Sequence, residues 1–279
     1  VDGSFVVKPR GGAAGRGVAL WHGQPVALER RIWQRRVPGR PWSAAFTVDP
    51  GGARLFGASR QLIGRSWCNA SGFAYCGSVD VPLDSLPSAL RRPLERLGDV
   101  LSRDFGLVGL VGADFIVDAD GAMHVIEINP RPTASMELVE RATGVSVAAT
   151  HLAACGFDSP AATMHPRPRR RVVWTKAIVF APRDVPCHAP LANALAAERG
   201  RRFTEEDDHP LLADLPIADS WIPAGRPALT VFAAATDAAT SLRRLRARVT
   251  AVHAALRQAA ISPPAGAASR PSPPGDSSA

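Results

Sequence analysis

"MHVIEINPRP", residues 123–132, decides how the chain is read. A plain hydrophobic strand needs only apolar residues. This one carries a carboxylate and an amide two positions apart and ends in Asn-Pro-Arg-Pro. Side chains alternate between the two faces of a strand. Met123, Val125, Glu127 and Asn129 are therefore expected on one face, with Ile126 and Ile128 turned toward a core. The preceding run, "GLVGADFIVD" at 109–118, reads as the partner strand of a hairpin. Gly112, Asp114 and Ile116 share one of its faces, Phe115 and Val117 the other.

The turn decides whether Asp114 and Glu127 meet. A two-residue turn at Asp120-Gly121 is the strongest local signal and places them directly opposite each other. A turn at Ala119-Asp120 leaves them diagonal on the same face. A three-residue loop flips the parity and separates them. Directly opposed Cβ atoms lie about 4.5–5.5 Å apart, and two carboxylates that close repel unless a proton or cation sits between them. With the Asn129 amide oxygen, the set suits a hard cation, Mg2+ first, which leaves positions for water and phosphate oxygens. The competing reading is an exposed hairpin face with solvated acids. Arg131 follows at once, and a fixed cation there could stabilise charge developing on a transferred group.

Upstream, "SFVVK" at 4–8 reads as a strand that runs into the glycine-rich "PRGGAAGRG" at 9–17. The lysine precedes the glycines, which rules out the nucleotide loop that ends Gly-Lys-Ser/Thr. Leu20 stands where a third dinucleotide-fingerprint glycine would be. A loop between two antiparallel strands can still fold over a polyphosphate, with backbone N–H groups and Lys8 as donors. A flexible hairpin turn is the plainer alternative. Of 33 Lys+Arg, only Lys8 and Lys176 are lysines, which leaves 31 arginines. A lysine retained against that bias points to a need for a compact ammonium. Lys176, in "VVWTKAIVF", is expected on a strand with its ammonium in solvent.

The remaining chain reads as organised in parts. Strand-like runs fill 31–63, and "DSLPSALRRPLERLGDVLSRDFGL" is a helix with Ser88 as its N-cap. "SMELVERATG" is a helix closed by Gly144, and "SVAATHLAAC" is another. The expected division is 1–157, a Pro/Arg-rich linker at 158–171, a small α+β unit at 172–261 and a disordered tail at 262–279. No apolar run has membrane-spanning length. The start has no signal-peptide pattern, and a cytoplasmic location is expected. The chain opens without Met on a strand-like segment, so an N-terminal portion of a larger protein is expected to be missing. Cys68, Cys76, Cys155 and Cys187 lack metal or redox spacing and are expected as free or buried thiols. The net charge is +8, and nucleic acid is a weaker expectation, because no stacking pattern accompanies the basic residues. His209 is expected in a solvated acidic loop, and Trp67 and Tyr75 as packing residues.

Taken together, residues 1–150 resemble the C-terminal portion of an ATP-grasp domain. The resemblance is carried by the lysine strand and glycine loop at 5–18, "WQRRVPGRPWS" at 33–43, "GADF" at 112–115 and "HVIEINPRPTASMELVERATG". It implies an α+β fold, an antiparallel sheet with flanking helices, followed by a small β-rich α+β domain like that of carboxylase-like enzymes. It implies ATP with one or two Mg2+ ions, and a carboxylate activated as an acylphosphate for attack by an amine, releasing ADP and phosphate. Residue by residue, Lys8 resembles the phosphate-contacting lysine. Gly11, Gly12, Gly15, Arg16 and Gly17 resemble the mobile loop. Gln34, Arg35, Arg36 and Val37 fall on the adenine-reading hinge, and Asp114, Glu127 and Asn129 on the metal ligands. Arg131 matches the reactive-site arginine of the biotin-carboxylase-like branch. "QLIGRSWCNASGFAYCGSV" resembles an ATP-grasp group linked to tetrahydromethanopterin-dependent one-carbon metabolism. The partners implied are small-molecule carboxylates and amines, and a homodimer is compatible with them. Two departures stand out. Pro41 occupies the usual place of a ribose-binding acid, and a second phosphate-contacting lysine would precede Val1. A non-catalytic nucleotide-binding remnant or partner subunit is the alternative.

Overall fold

Runs of β-branched and aromatic residues, broken by Gly, Pro and Asp, fold into thirteen strands among the described residues of this computed structural model, which are 3–23, 30–158, 172–199 and 210–261. The linker residues 159–171, His209 and the tail 262–279 lie outside them. β1 (Phe5–Pro9), β2 (Ala19–Leu20) and β3 (Arg31–Arg35) make a small antiparallel sheet in the order β2-β1-β3. β4 (Arg40–Asp49), β5 (Gly52–Ile63) and β6 (Tyr75–Val81) follow, then α1 (Ser88–Asp99), β7 (Gly109–Val117), β8 (Met123–Asn129), α2 (Met136–Thr143) and α3 (Val147–Ala154). β9 (Val173–Phe180), β10 (Val185–Cys187), α4 (Ala189–Arg199), β11 (Leu212–Ala213), β12 (Ser220–Ile222), β13 (Pro227–Ala235) and α5 (Ala238–Ile261) complete the order.

The principal sheet has eight strands in the order β11-β13-β9-β6-β5-β4-β7-β8, and every neighbouring pair is antiparallel. β9 pairs with β6, so strands from 172–261 prolong the sheet begun by 40–129. Separately, β10 pairs with β12.

Each face of this sheet is covered differently. On one, Trp42, Ala44, Phe46, Val111 and Phe115 meet Leu90, Leu94 and Leu101 from α1 and the turn of π-helix that continues it. Val179, Val231 and Ala233 meet Leu245, Val249 and Leu256 of α5 on the same face. Burying each such side chain contributes about 1.5–3 kcal/mol before entropy is charged against it. On the other face, α2 and α3 pack through Met136, Leu138 and Val147 against Ala45, Leu110, Trp174 and Phe232. The small sheet stands over what α2 and α3 leave uncovered, and the cleft lies between.

One local expectation changes and another holds. Ser88 is the first helical residue of α1 rather than its cap; Pro87 holds the cap position with no side-chain cap bond. Gly144 closes α2 in the left-handed region at φ +77°, as its lack of a Cβ permits. The thiols of Cys68, Cys76, Cys155 and Cys187 are free. Among the described residues no helix is long and apolar enough to cross a membrane.

Candidate functional site

The hairpin β7–β8 brings the acids together by an unexpected route. Val117 pairs with Met123, and Asp118 N–H donates across the end of the loop to the Ala122 carbonyl, 3.1 Å. The connection therefore has the parity of a three-residue loop, with Gly121 at φ +84°, which alone would separate the carboxylates. A β-bulge intervenes. Phe115 pairs with Val125, yet Asp114 pairs with Glu127, so Ile126 is the extra residue. A bulge inserts one residue and reverses the side-chain parity beyond it. Asp114 and Glu127 are thus directly opposed, and Asn129 lies opposite Gly112. The expected face of β8 is corrected accordingly. Met123 packs with Ile128 against the α1 core, while Glu127 and Asn129 face the cleft.

That cleft has a volume of about 1000 Å³. Its floor is the β4–β5–β7–β8 face with Ser43, Gln61, Asp114 and Glu127, and its roof is the small sheet with Val6, Lys8 and Gln34. Gln61 Nε2 donates to Asp114 Oδ1 at 2.9 Å. Burial lifts the Asp114 carboxyl to about 6; the Ser43 hydroxyl bond opposes the rise, Glu127 adds to it, and Gln61 and Lys8 oppose it. Burial likewise lowers Lys8, while Glu127 and then Asp114 pull it back up. Lys8 from the roof and both acids from the floor line the same cleft.

The glycine-rich loop closes one side. Gly12, Gly15 and Arg16 line the cleft, whereas Gly11 and Gly17 do not contribute to its wall. Tyr75 N–H donates to the Ala14 carbonyl at 3.0 Å, seating the loop on 73–75. Gly15 has φ +72°, and a Cβ there would collide with the Phe73 carbonyl. Gln34, Arg35, Arg36 and Val37 line the opposite wall. Gln34 Nε2 reaches the Ile126 carbonyl at 3.3 Å, so the bulge is also the contact point of this hinge.

Asn129 is 8% exposed, and its Oδ1 accepts from Arg131 Nη2 at 3.2 Å. Asn129, Arg131, Thr133, Ala134 and Ser135 all line the cleft. Among the described residues no group of three His, Cys, Asp or Glu side chains forms a closed metal cage. Two carboxylates and one amide oxygen instead fit a hard cation that shares its coordination with phosphate and water.

Several participants carry no local sequence signal. Ser43 and Gln61 sit on β4 and β5 in ordinary strand patterns. Tyr75 is a lining residue whose OH meets Ser78 Oγ at 2.9 Å, and burial pushes its phenol upward. Lys176 departs from expectation outright. It is 4% exposed, and its ammonium donates to the Ala134 carbonyl at 3.0 Å and to Glu137 Oε2 at 2.9 Å.

Comparison with known proteins follows from this geometry. Residues 1–135 match the family model described as an ATP-grasp domain. An N5-carboxyaminoimidazole synthase from Aspergillus clavatus, solved with ADP and 5-aminoimidazole ribonucleotide, aligns at TM-score 0.61 and 14% identity over 88% of this chain and 62% of its own. The Staphylococcus aureus N5-carboxyaminoimidazole synthetase, solved with ADP, gives 0.60 and 15% over 88% and 61%. An L-amino acid ligase from Bacillus licheniformis gives 0.56 and 13% over 89% and 62%. The chain thus spans about three-fifths of the length of these solved proteins. No curated protein sequence matches it.

Proposed function

We propose that this chain, whose residues 1–135 match the ATP-grasp domain model and which shares the fold of the solved synthetases, is an ATP-dependent ligase that joins a carboxylate to an amine. The single observation that supports this most is the opposed pair Asp114 and Glu127 beneath the Lys8 ammonium, inside a cleft walled by the glycine loop. Solved relatives of the same fold hold ADP, one of them with an amine-bearing ribonucleotide.

In this reading Gln34 to Val37 receive the adenine through their backbone, and Gly12, Gly15 and Arg16 cover the phosphates. Asp114, Glu127 and Asn129 would hold Mg2+, which when bound neutralises phosphate charge. Lys8 adds a fixed positive charge beside the terminal phosphate. The carboxylate oxygen of the substrate attacks the γ-phosphorus, and ADP leaves with the electrons of the broken P–O bond. The amine nitrogen then attacks the acyl carbon, phosphate leaves, and the nitrogen releases its proton. Arg131, adjoining Asn129, stabilises negative charge on the reacting oxygens. Positioning and electrostatics are the principal demands of phosphoryl transfer. We further assign nucleotide handling to 1–157, with 172–261 as a small α+β unit beside it.

Calorimetric titration with Mg·ATP tests the reading on the intact chain and on Glu127→Ala. A loss of about tenfold to a hundredfold in affinity is expected in the variant. Equal affinities would remove the cation site. ATP turnover with neither ADP nor phosphate released would remove the ligase.

A further inference from the structure

Of the chain's two lysines, Lys8 lines the cleft, and Lys176 sits behind the loop that walls it. Lys8 stands over the carboxylates, and Lys176 lies beneath the loop 130–135 that carries Arg131. Lys176 belongs to β9, where it pairs with Ser78 on one side and Phe232 on the other. Its buried ammonium donates to a carbonyl and to a carboxylate whose side chain is 38% exposed. Glu137 is held from two sides, because Arg141 Nη2 reaches its other oxygen at 3.1 Å. Arg141 also donates to the Pro210 carbonyl at 2.9 Å and lies 3.5 Å from the Phe232 ring centre. Burying such charges costs several kcal/mol each, and removing one partner leaves the other uncompensated. The cluster is joined to loop 130–135 through the Ala134 carbonyl.

The loop has other contacts. Thr133 lies against Gly112, where any Cβ would displace it, so the absence of a side chain lets the loop lie flat on β7. Ser135 Oγ is 3.4 Å from Ser43 Oγ, and the Ser43 hydroxyl bonds Asp114. Thr133 Oγ1 is 3.2 Å from Ser135 Oγ. At the other end Arg131 reaches Asn129 Oδ1. The loop therefore touches the acidic pair through Ser43 and the amide ligand through Arg131, and Lys176 fixes it from the far side. We propose that Lys176 is a positioning residue: through the Ala134 carbonyl and Glu137 it locks loop 130–135, so that β9 completes the cation site of the cleft. This rests on the nucleotide–cation reading above. A compact ammonium suits two converging acceptors; a planar guanidinium does not.

The test uses the full chain as wild type, Lys176→Met, Lys176→Arg and Glu137→Gln. Amide hydrogen exchange is read over 130–136, and ATP affinity is measured with Mg2+ and with EDTA. In Lys176→Met, exchange over 130–136 should rise about tenfold or more while β4 and β7 keep their protection. ATP affinity in EDTA should stay within about twofold, while the gain conferred by Mg2+ falls about tenfold. Lys176→Arg should not restore either readout. Unchanged loop exchange overturns the proposal. So does an equal loss of affinity with and without Mg2+, which marks a merely structural lysine. If wild-type affinity is itself indifferent to Mg2+, the cation reading fails and the exchange readout alone judges Lys176. If Lys176→Met does not fold, Glu137→Gln supplies the same readouts with smaller changes, and no change in it overturns the proposal.

Discussion

Asp114 is the residue on which the proposed cation site turns. Its carboxyl faces Glu127 across the hairpin, Ser43 and Gln61 along the floor and Lys8 from above. Burial dominates that balance and raises it to about 6. A cation requires the ionised form, so below that pH each cation bound must displace a proton. Mg·ATP affinity is expected to be nearly flat above about pH 7 and to fall about tenfold per pH unit once well below the Asp114 value. Calorimetry from about pH 7.5 to about pH 5 reads this directly, and Asp114→Asn should abolish the slope together with most of the affinity. An unchanged slope in that variant would assign the titration elsewhere. Lys8, Asp114, Glu127, Asn129 and Arg131 were all legible as candidates because each breaks a local pattern: a polar group in an apolar strand, or a lysine among arginines. Gln61 and Ser43 break none; Lys176 breaks the same patterns as Lys8, but its burial departs from expectation. A serine or glutamine on a strand is unremarkable until its neighbours are known. The buried place of Lys176 follows from a strand partner about 100 residues upstream, Ser78.

At the scale of elements, the glycine loop is a structure seated on 73–75 through Gly15. Gly15 combines a left-handed φ with direct apposition to the Phe73 carbonyl, and Ala14 beside it receives the Tyr75 amide. Gly11 has open space around its Cα. Gly15→Ala should therefore lift the loop from 73–75, cost on the order of 1–2 kcal/mol of stability and speed exchange of the Tyr75 amide. Gly11→Ala should leave both measurements as they were. Equal effects of the two substitutions would show that the seating is not set by Gly15. The hairpin makes the complementary point about what a sequence displays. Alternation correctly placed Asp114 with the cleft and Phe115 with the core. It could not display the bulge at Ile126, because nothing in "MHVIEIN" distinguishes an extra residue from a paired one. Two departures from the simplest hairpin, a longer loop and a bulge, cancel in parity, so the acids meet although the route assumed for them differs.

Across the whole molecule, the registers align Asp80, Ser59, Ser43, Asp114 and Glu127 in one row that crosses β6, β5, β4, β7 and β8. Paired residues share a face, so this polar row runs along the side of the sheet that bears the cleft. Ser43, Asp114 and Glu127 line that cleft, whereas Ser59 and Asp80 do not. Helix α2 packs on β5, β6 and β9 over this face, with Val139 against Gly57. Asp80 is 6% exposed, and Ser59, 3% exposed, has an Oγ with no hydrogen-bond partner. No sequence window contains this row; it exists only once five strands are in register. Burial raises Asp80 from 3.8 to about 7, with the Val81 backbone amide opposing the rise. The sign follows from linkage. Between those two values the folded chain binds more protons than the unfolded one, so stability falls as pH rises. The penalty is absent below about pH 4 and complete above about pH 7. A shift of this size corresponds to at most roughly 4 kcal/mol, and water penetration around a buried carboxylate reduces it. Asp80→Asn keeps the shape and removes the ionisation. It should be more stable than the wild type by roughly 1–4 kcal/mol near pH 8, and the advantage should shrink toward zero near pH 4. Urea unfolding at both pH values measures the difference. A gap of the same size at both would mean that Asp80 ionises no differently in the folded sheet, and that its row is an arrangement of neutral side chains.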